Sequence, residues 1–500
     1  MKKLASLVLA LIMVFSVAGT AACAENAPVE IEFFTNRSFE GAAATDLEKD
    51  NFVEQYLREK LGVDIRYVYT DELTTNLNLR LFSGDVPDVF NVENRNYLKQ
   101  YADEGYLLNL DEHADKLADA FAFTEGNASA GKIDGATYAI PGRPYGFREA
   151  YWYNVNAFKK AGVTEMPTTL TGLVDAVREA MKADVDGNGV NDSIGLTGSG
   201  WETLCEIFGA YGVTMPNVLS LDADGHVVDT MLTRNFYDAL VYANGLWNEG
   251  FIDHEIFSLT PSQAVDKCMT RSAILAELQW PSIKKVAAWE AFLAVDPEAE
   301  WEIVGPVTGP DGGTNYVGNY ASNAFTSLTC INADLEGAKL EAALKFINFM
   351  GTEDGLTLTT YGIKGQHWDY DANGVAAIYP DQVKNVNFSW IYQLCGRDEL
   401  QYCLVKFGQE ANKYIEYSFY QPYITDVTAL IDIPEWYNVT DAKTYISEEC
   451  AKFLTGEREL NETEWAKFLS VLDSTYQYTR FIQEGDAAWQ AMVGLSLIHI

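Results

Sequence analysis

Apolar and polar residues over positions 29–140 repeat with a period of two and then with a period near 3.6, several times in succession. The first period is typical of strands and the second of helices. The sequence predicts, in order, a strand at Ile31 to Phe34, a helix that ends before Gly62, a strand from Val63 to Tyr69, a helix with Leu73, Leu77 and Leu81 on one face, and a buried strand from Val89. This alternation predicts a mainly parallel α/β sheet with right-handed crossovers.

The same helical period predicts two further long helices. One runs from about Leu170 to Met181, and the other runs from Leu335 to Met350 and ends at Gly351. The chain of 500 residues, 48% of them apolar, is too long for one hydrophobic core of ordinary size. We therefore expect at least two lobes.

The charge balance narrows the class of partner. The chain has 72 acidic against 35 basic residues, which gives a net charge of −37. Such an excess argues against nucleic acid, anionic membrane surfaces and strongly anionic ligands as partners. Because the acidic residues are scattered rather than clustered in a tail, we interpret them as a source of solubility.

Cysteine and histidine usage argues against two other classes of site. The seven cysteines include no Cys-x-x-Cys pair and are too sparse for a disulfide scaffold, which leaves either one or two bridges or buried free thiols. The five histidines stand singly without metal-ligand spacing. The sequence therefore predicts no zinc or iron site.

The N-terminus has the pattern of a secretory signal. Lys2 and Lys3 precede an apolar run from Leu4 to Ala18 that is short for a membrane helix. The segment Thr20-Ala21-Ala22-Cys23 then resembles a bacterial lipobox, which would make Cys23 the lipidated first residue of the mature chain. The alternative is ordinary signal-peptidase cleavage at Ala22-Cys23-Ala24, which would release a soluble secreted protein. We predict residues 1–23 as a signal peptide and favour the lipoprotein.

Residues 184–192, here named the calcium loop, place oxygen-bearing residues at every second position around glycines. Side-chain oxygens at positions 1, 3, 5 and 9 and a backbone carbonyl at position 7 are the ligands of an EF-hand. These positions are Asp184, Asp186, Asn188, Asp192 and, for the carbonyl, Val190. Position 12 is a glycine rather than the bidentate glutamate, so the loop predicts structural calcium outside an EF-hand pair. The alternative is a plain Asp/Asn/Gly turn.

A series of short motifs resembles one protein family. In chain order they are Ser83-Gly84-Asp85-Val86-Pro87-Asp88-Val89, Ala102-Asp103-Glu104-Gly105-Tyr106-Leu107-Leu108-Asn109-Leu110, Tyr138-Ala139-Ile140-Pro141, Tyr151-Trp152-Tyr153-Asn154 and Met166-Pro167-Thr168-Thr169. They are similar to motifs of family 1 extracellular solute-binding proteins, the carbohydrate-type substrate-binding lipoproteins of ABC importers in Gram-positive bacteria. The resemblance spans nearly the whole mature chain.

The resemblance implies a fold and its division. The fold is a two-lobed periplasmic-binding-protein-like clamshell of type II, in which each lobe is a mainly parallel sheet flanked by helices and crossing strands form the hinge. Lobe 1 is expected at 27–148 and 323–375, and lobe 2 at 149–322 and 376–485. The calcium loop then pins part of lobe 2. The last six residues, 495–500, resemble a translated sequencing-adapter fragment, the alternative being a short native tail.

A sugar ring stacks its apolar C–H face on an aromatic side chain. We therefore rank the aromatic residues as candidate solute contacts by their position in the chain rather than by residue type. Trp201 follows a Thr-Gly-Ser-Gly loop, and Trp280 ends a strand that resembles a family element whose terminal tryptophan faces the cleft. Both are predicted to stack on solute, and Trp368 is a weaker candidate. Trp152 and Trp247 are assigned to structure, Trp247 because it lies on a helical stripe.

Polar candidates follow the carboxyl ends of predicted strands, where open α/β sheets bind ligands. Each residue has an alternative role as a turn residue or surface charge. The candidates are Asn36 and Arg37 after the first strand, Glu93 and Asn94 after the third, Arg143 and Tyr145 next to the expected hinge, and Asn319 and Tyr320 before the return crossover.

The resemblance implies a function without enzymatic activity. It predicts an extracellular substrate-binding lipoprotein that captures a carbohydrate, preferably an oligosaccharide, and delivers it to the permease subunits of an ABC importer. We expect a monomer tethered to the cytoplasmic membrane through its N-terminus only. The alternatives are a secreted glycoside hydrolase with paired carboxylates and a sensor lipoprotein that binds solute without transport. The sequence has no Gly-x-Ser-x-Gly, His-Glu-x-x-His or Walker motif.

Overall fold

The structure is a computed structural model that describes residues 27–37, 51–143, 149–185, 187–190, 192–284, 286–305, 307–310, 327–372, 374–398, 414, 424 and 426–498. The chain divides into two compact units. Unit 1 falls within Met1–Gly142, Ser327–Asp369 and Ile378–Gly396, and unit 2 within Arg143–Thr326, Tyr370–Ala377 and Arg397–Ile500.

Strands and helices alternate along most of the described chain. The strands are β1 (Val29–Thr35), β2 (Val63–Tyr69), β3 (Val89–Val92), β4 (Lys132–Ile133), β5 (Ala136–Thr137), β6 (Ile140–Pro141), β7 (Glu149–Asn154), β8 (Ile194–Thr197), β9 (Leu219–Leu221), β10 (Val227–Asp229), β11 (Ala273–Gln279), β12 (Trp301–Ile303), β13 (Leu328–Ile331), β14 (Trp368–Tyr370) and β15 (Ala376–Ile378). The α-helices are α1 (Phe52–Leu61), α2 (Leu73–Ser83), α3 (Arg95–Asp103), α4 (Ala118–Thr124), α5 (Val155–Lys160), α6 (Leu170–Met181), α7 (Cys205–Ala210), α8 (Arg234–Asn248), α9 (Pro261–Met269), α10 (Trp280–Lys284), α11 (Val286–Val295), α12 (Gly337–Phe349), α13 (Glu353–Tyr361), α14 (Val383–Val386), α15 (Val439–Thr455), α16 (Glu462–Tyr476) and α17 (Tyr478–Ile498). Single 3-10 turns span Leu110–His113, Glu125–Gly131, Gly200–Leu204, Thr230–Leu232, Asn387–Tyr392 and Thr428–Leu430.

Unit 1 contains a five-stranded sheet in the order β2-β1-β3-β13-β6. β1 pairs in parallel with β2 and β3, while β13 runs antiparallel to β3 and β6. The predicted strand and helix alternation is therefore confirmed, and the antiparallel pairings come from strands outside the first five predicted elements. Helix α1 begins where the Asn51 side chain accepts hydrogen bonds from the backbone N–H groups of Val53 and Glu54.

Unit 2 contains a four-stranded sheet in the order β12-β7-β11-β8. β11 is hydrogen-bonded on both sides, antiparallel to β7 and parallel to β8, and β12 is antiparallel to β7. The prediction of a mainly parallel sheet is therefore wrong for this unit, because β7 runs against both of its neighbours. Helix α6 has the bounds that the sequence predicts and buries Leu170, Leu173 and Val177. Trp152 and Trp247 are buried, as assigned. The sheet and its helices thus form the core of the second unit.

The C-terminal part of unit 2 is helical. Helix α15 packs against α8, α16 packs against α15, and α17 packs against α16 and β10. Ile446, Phe453 and Phe468 are buried in the core of this unit. The backbone of α17 continues to Ile498. The origin of residues 495–500 stays a prediction.

The predicted division of the chain is wrong for residues 378–396. The sequence assigned them to lobe 2, but the structure assigns them to unit 1. The reason is packing, because Phe388, Ile391 and Tyr392 are buried in the same core as Phe33 of β1. The first two crossings between the units fall after Gly142 and after Thr326, whereas the sequence placed them after 148 and after 322. Residues Tyr370–Ala377 belong to unit 2.

The sequence left open whether the cysteines form one or two bridges or are buried thiols. The five cysteines that the structure describes are all buried and form no disulfide, in agreement with the second alternative for those residues: Cys205, Cys268, Cys330, Cys395 and Cys450. Cys23 and Cys403 lie outside the described residues.

Within the described part of the chain, no helix combines the length and apolar character needed to cross a bilayer.

A buried carboxyl holds the returning segment 378–396 to unit 1. The Tyr392 hydroxyl donates a hydrogen bond of 2.6 Å to Glu54 Oε1 and accepts one of 2.9 Å from Asn51 Nδ2. Only 3% of Glu54 is exposed. Burial raises the pKa of Glu54 from 4.5 to about 7, although the hydrogen bonds from Tyr392 and Asn51 oppose the shift. The folded protein therefore favours the protonated form of this carboxyl.

This raised pKa predicts a pH-dependent stability that the variant Glu54→Gln removes. Stabilisation by protonated Glu54 is complete below pH 4.5 and is lost as the pH rises through about 7. The wild type should therefore lose about 3 kcal/mol of unfolding free energy between pH 4.5 and 8 relative to the variant. Urea denaturation at several pH values measures the difference. Glu59→Gln, an exposed change on α1, should keep the wild-type slope, and equal slopes for wild type and Glu54→Gln would contradict the prediction.

Candidate functional site

Two of the predicted polar candidates meet at the carboxyl ends of neighbouring parallel strands in unit 1. Asn36 follows β1 and Glu93 follows β3, and Asn36 Nδ2 donates to Glu93 Oε1 at 3.4 Å. The Thr74 hydroxyl donates to the other oxygen of Glu93. Asn36 and Glu93 are exposed. This edge of the sheet offers a small polar surface.

The other two candidates of this edge have structural roles. Burial corrects the prediction of Arg37 as a solute contact, whereas Asn94 is half-buried and stays a prediction. Arg37 is 7% exposed, and its guanidinium donates to the carbonyl oxygens of Ile391 (3.3 Å) and Gln393 (3.0 Å) and to Ser327 Oγ (2.7 Å). Asn94 caps α3, since its side chain accepts from two backbone N–H groups of the first turn. These side chains are committed to fixing the backbone of unit 1.

Two of the three predicted stacking tryptophans are buried. Trp280 is 1% exposed and packs in one cluster with Trp152 and Trp301, and Trp368 is 5% exposed and donates from Nε1 to the Gly362 carbonyl at 3.0 Å. Neither ring exposes a face on which a sugar could stack, so both predictions are wrong for this structure. The reason for Trp280 is that α10 begins at this residue and turns the ring into the core.

Trp201 is partly buried and has aromatic neighbours. Its ring meets Phe257 edge-on at 5.2 Å between centroids and Phe208 at 6.4 Å. Phe257 is 42% exposed, so the pair forms an aromatic patch that reaches the surface. Arg143 is also partly buried. Three other predicted contacts lie outside the described residues: Tyr145, Asn319 and Tyr320.

Unit 2 contains a pocket of about 350 Å³ at the carboxyl ends of the parallel strands β8 and β11. Its walls come from the loop after β8, the start of α9, the end of β11 and α10. The lining residues are Ser199, Glu202, Pro261, Glu277, Leu278, Gln279 and Ser282. Carboxyl ends of parallel strands are where α/β folds place ligands.

The pocket has a fixed wall and hydrogen-bonding groups at different depths. Glu277 is only 6% exposed, whereas Glu202 and Gln279 are exposed. The Trp152 indole donates to the Leu278 carbonyl at 2.9 Å, and Ser199 Oγ donates to a backbone carbonyl at 2.7 Å. These bonds hold both the end of β11 and the loop after β8 in place.

A second buried carboxyl lies behind the pocket. Glu206 lies four residues after Glu202, on α7, and is 1% exposed. Burial raises its pKa to about 8, and neither of its carboxyl oxygens has a hydrogen-bond partner within the described part of the chain. Glu206 is therefore mainly neutral at pH 7.

Sequence reasoning found the walls of this pocket but missed its polar residues. The two highlighted tryptophans, Trp201 and Trp280, directly adjoin the lining residues Glu202 and Gln279. The available signal was the end of β11, because Glu277 and Gln279 are polar residues in an otherwise apolar strand. A polar residue in such a strand marks either a sheet edge or a site.

The calcium loop folds around its first aspartate. The Asp184 carboxylate accepts hydrogen bonds from the backbone N–H groups of Gly187 (2.8 Å) and Gly189 (2.9 Å), both of which have left-handed backbones. Asn188 Nδ2 donates to Asp192 Oδ1 at 3.4 Å. Val190 is exposed.

The metal prediction concerns oxygen ligands from this loop. The structure brings the side chains of Asn188 and Asp192 together and places the Asp184 carboxylate on two backbone N–H groups of the same loop, while Asp186 lies outside the described residues. Among the described residues, no group of three or more histidine, cysteine, aspartate or glutamate side chains could hold a metal ion. Carboxylate, carboxamide and carbonyl oxygens suit calcium, so the donor types present fit the ion.

Comparison with solved structures identifies the fold. The alginate-binding protein AlgQ2, solved without calcium ion, matches with a TM-score of 0.69 and 17% identity over 93% of this chain and 98% of that one. FusA, an ABC-transporter substrate-binding protein of S. pneumoniae solved with kestose, matches with a TM-score of 0.66 and 18% identity over 93% of this chain and 100% of its own. The predicted fold of the type II periplasmic-binding-protein-like class is thereby confirmed.

Sequence comparison identifies the family. Lipoprotein LipO of Bacillus subtilis (strain 168) is 20% identical over 328 residues, and the matched part covers 63% of this chain and 63% of LipO. The model of the family described as bacterial extracellular solute-binding protein matches residues 43–356, more than half of the chain. This chain therefore belongs to the family of bacterial extracellular solute-binding proteins.

Proposed function

We propose that this protein is the extracellular substrate-binding component of an ABC importer and that it captures an oligosaccharide. The observation that carries the proposal is the pocket in unit 2, where hydrogen-bonding side chains converge beside an aromatic patch. The pocket volume of about 350 Å³ is within the range of small-molecule sites. Binding without catalysis is the property that the family has in common.

The chemistry of the pocket suits a sugar. Hydroxyl groups donate to carboxylates such as Glu277 and Glu202, and they exchange hydrogen bonds with Gln279. An apolar C–H face of a sugar ring can lie against an aromatic ring, and Trp201 with Phe257 provides such a surface next to the lining residue Glu202. A sugar held in this way is recognised through hydrogen bonds to its hydroxyls and through stacking of its apolar C–H face.

Structurally similar proteins support the ligand class. One of them is an alginate-binding protein, another was solved in complex with kestose, and a third is a chitin oligosaccharide binding protein. The fold thus serves different carbohydrates in different proteins. We infer an oligosaccharide as the ligand here and assign its selection to the residues that line the pocket.

The proposed cellular setting is the outer face of the cytoplasmic membrane. The family is extracellular, and one relative is named a lipoprotein. We propose that Cys23 carries the lipid anchor after removal of residues 1–22, that the protein acts as a monomer, and that its partners are the permease subunits of the importer. Clamshell closure on the solute would signal occupancy to those subunits.

The variant Gln279→Ala tests the pocket as the solute site. The change removes an exposed amide at the end of β11, so affinity for a bound oligosaccharide should fall by about threefold to tenfold because one hydrogen bond is lost. Isothermal titration calorimetry against a panel of oligosaccharides that includes kestose measures it. Gln100→Ala, an exposed change on α3 in unit 1, should leave the affinity unchanged.

Two outcomes would contradict the proposal. Cleavage of an oligosaccharide by the purified wild type, detected by chromatography of the incubated solute, would indicate a glycoside hydrolase instead. Equal solute affinity in Gln279→Ala and wild type would exclude this pocket as the binding site.

We also propose that the calcium loop binds one structural Ca²⁺ ion. The arrangement around Asp184, in which the carboxylate organises two backbone N–H groups, supports the proposal. Two structural neighbours point the same way, since AlgQ2 was solved specifically without calcium ion and FusA was also solved as an EF-hand mutant. The ion would be held by Asp184, Asp186, Asn188, Asp192 and the Val190 carbonyl. It would hold α6 and β8 together, since the loop joins them.

Removal of calcium should lower stability and leave solute binding intact. Excess chelator should lower the melting temperature by roughly 3 °C, because an ion that binds only the folded state contributes about 2.7 kcal/mol at a hundredfold excess over its Kd. Asp184→Ala should abolish this calcium-dependent shift, which differential scanning calorimetry measures. Asp224→Asn, in another exposed acidic turn of unit 2, should keep it.

Solute titration of the chelated protein distinguishes a purely structural calcium ion from one that solute binding requires. The affinity should stay within about twofold of the calcium-loaded value while the protein remains folded. Loss of solute binding in a chelated but folded protein would contradict a purely structural ion.

A further inference from the structure

We propose that Glu206 is a positioning residue for the pocket of unit 2, and that solute binds only while the carboxyl group of Glu206 is protonated. The proposal rests on the proposed function and couples it to a proton. Glu206 is not a lining residue of the pocket, so it acts on the solute through the residues that are.

The first argument is the burial of the carboxyl group. Glu206 is 1% exposed, and all six residues of α7 are buried in the core of unit 2. An ionised carboxylate in such surroundings is far more costly than a neutral one, and burial accordingly raises the pKa of Glu206 to about 8. Above that pH, ionisation favours any movement that brings water to this side chain.

The second argument is the direct connection between Glu206 and the pocket. The 3-10 turn Gly200–Leu204 runs straight into α7, so Glu206 lies one helical turn after the lining residue Glu202. The same 3-10 turn includes Trp201 of the aromatic patch. A movement of the start of α7 therefore displaces both a wall of the pocket and its stacking surface.

The third argument is that this 3-10 turn is tightly packed in one position. Thr203 is fully buried, and the Tyr151 hydroxyl donates to its carbonyl at 2.7 Å. A Cβ atom on Gly198 would lie only 2.5 Å from Thr203 Oγ1, and the Gly200 N–H donates to the Ile256 carbonyl at 2.7 Å. The turn cannot shift to hydrate Glu206 without the loss of these contacts. An ionised Glu206 and the observed pocket wall therefore exclude each other.

Other titratable groups face the same region. The Tyr151 side chain of β7 interacts electrostatically with Cys205 and Glu206 on α7 and with Glu277 on β11. Helix α8 also packs against α7, and its titratable side chains are Arg234, Tyr237, Asp238 and Tyr242. Burial raises the pKa values of all three tyrosines above 10. These tyrosines therefore stay neutral near pH 8, and variants of Glu206 distinguish its effect from that of Cys205 or Glu277.

Solute affinity should fall as the pH rises through about 8, where Glu206 ionises. If only the neutral form binds, the apparent Kd is the intrinsic Kd divided by the neutral fraction, which is about one tenth at pH 9. Affinity should therefore be about tenfold weaker at pH 9 than at pH 7. Binding at pH 8 should be accompanied by the uptake of about half a proton.

Isothermal titration calorimetry from pH 6 to 9 tests the proposal. The probe is kestose or, where kestose does not bind, the member of the same oligosaccharide panel that wild type binds most tightly at pH 7. Buffers with different ionisation enthalpies give the number of protons taken up. Melting temperatures at each pH verify that the protein is folded.

Three variants complete the design. Glu206→Gln keeps the shape of the side chain but cannot ionise, and Glu206→Leu replaces it with an apolar side chain of similar size. Each should keep its own pH 7 affinity up to pH 9 and take up no proton. Glu54→Gln, which removes the buried carboxyl group of unit 1, should keep the wild-type pH profile and proton uptake.

Two results would overturn the proposal. One is a wild-type affinity that is constant up to pH 9 without proton uptake, which needs no variant to fold. The other is an equal loss of affinity in wild type and in the folded Glu206 variants, which would assign the effect to another group. In both cases, weaker binding by Gln279→Ala would leave the proposed function standing. If no oligosaccharide of the panel binds wild type at any pH, the proposed function fails and this inference fails with it.

Discussion

The pocket of unit 2 depends on the position of β11 in the interior of its sheet. This strand is hydrogen-bonded on both sides, and Glu277 lies opposite Tyr151 of β7. A shift of one residue would break both ladders and turn every side chain of β11 to the other face. The register thus keeps Glu277 and Gln279 on one face, while Trp152 holds the Leu278 carbonyl between them.

Unit 1 uses buried polar groups for a different purpose. Burial of a charge is costly unless hydrogen bonds replace water, and the Arg37 guanidinium donates to acceptors on two segments that are both far from it in the chain, Ser327 and residues 391–393. Glu54 reduces the same cost by protonation. These contacts give the returning segment 378–396 one specific position, which apolar packing alone would define less sharply.

How far the site could be predicted differs between residue types. Trp201 and Trp280 marked the correct loop and strand end, but a sequence position does not say whether a ring is covered. The start of α10 turns the Trp280 ring inward and leaves the preceding Gln279 exposed. Glu202 and Glu277 could not be ranked among 72 acidic residues, because their relevance arises from neighbours distant in sequence.

The sequence alone determined the alternation of strands and helices, the parallel pairing of β1 with β2 and β3, and the family, since these follow from periodicity and from contiguous motifs. It also located helix α6 correctly, where the apolar stripe and the N-terminal Thr169 cap are both local signals. Only the tertiary structure decided the unit to which 378–396 belongs and the residues that line the pocket. Burial and strand register are set by contacts between residues far apart in the chain, which no local pattern contains.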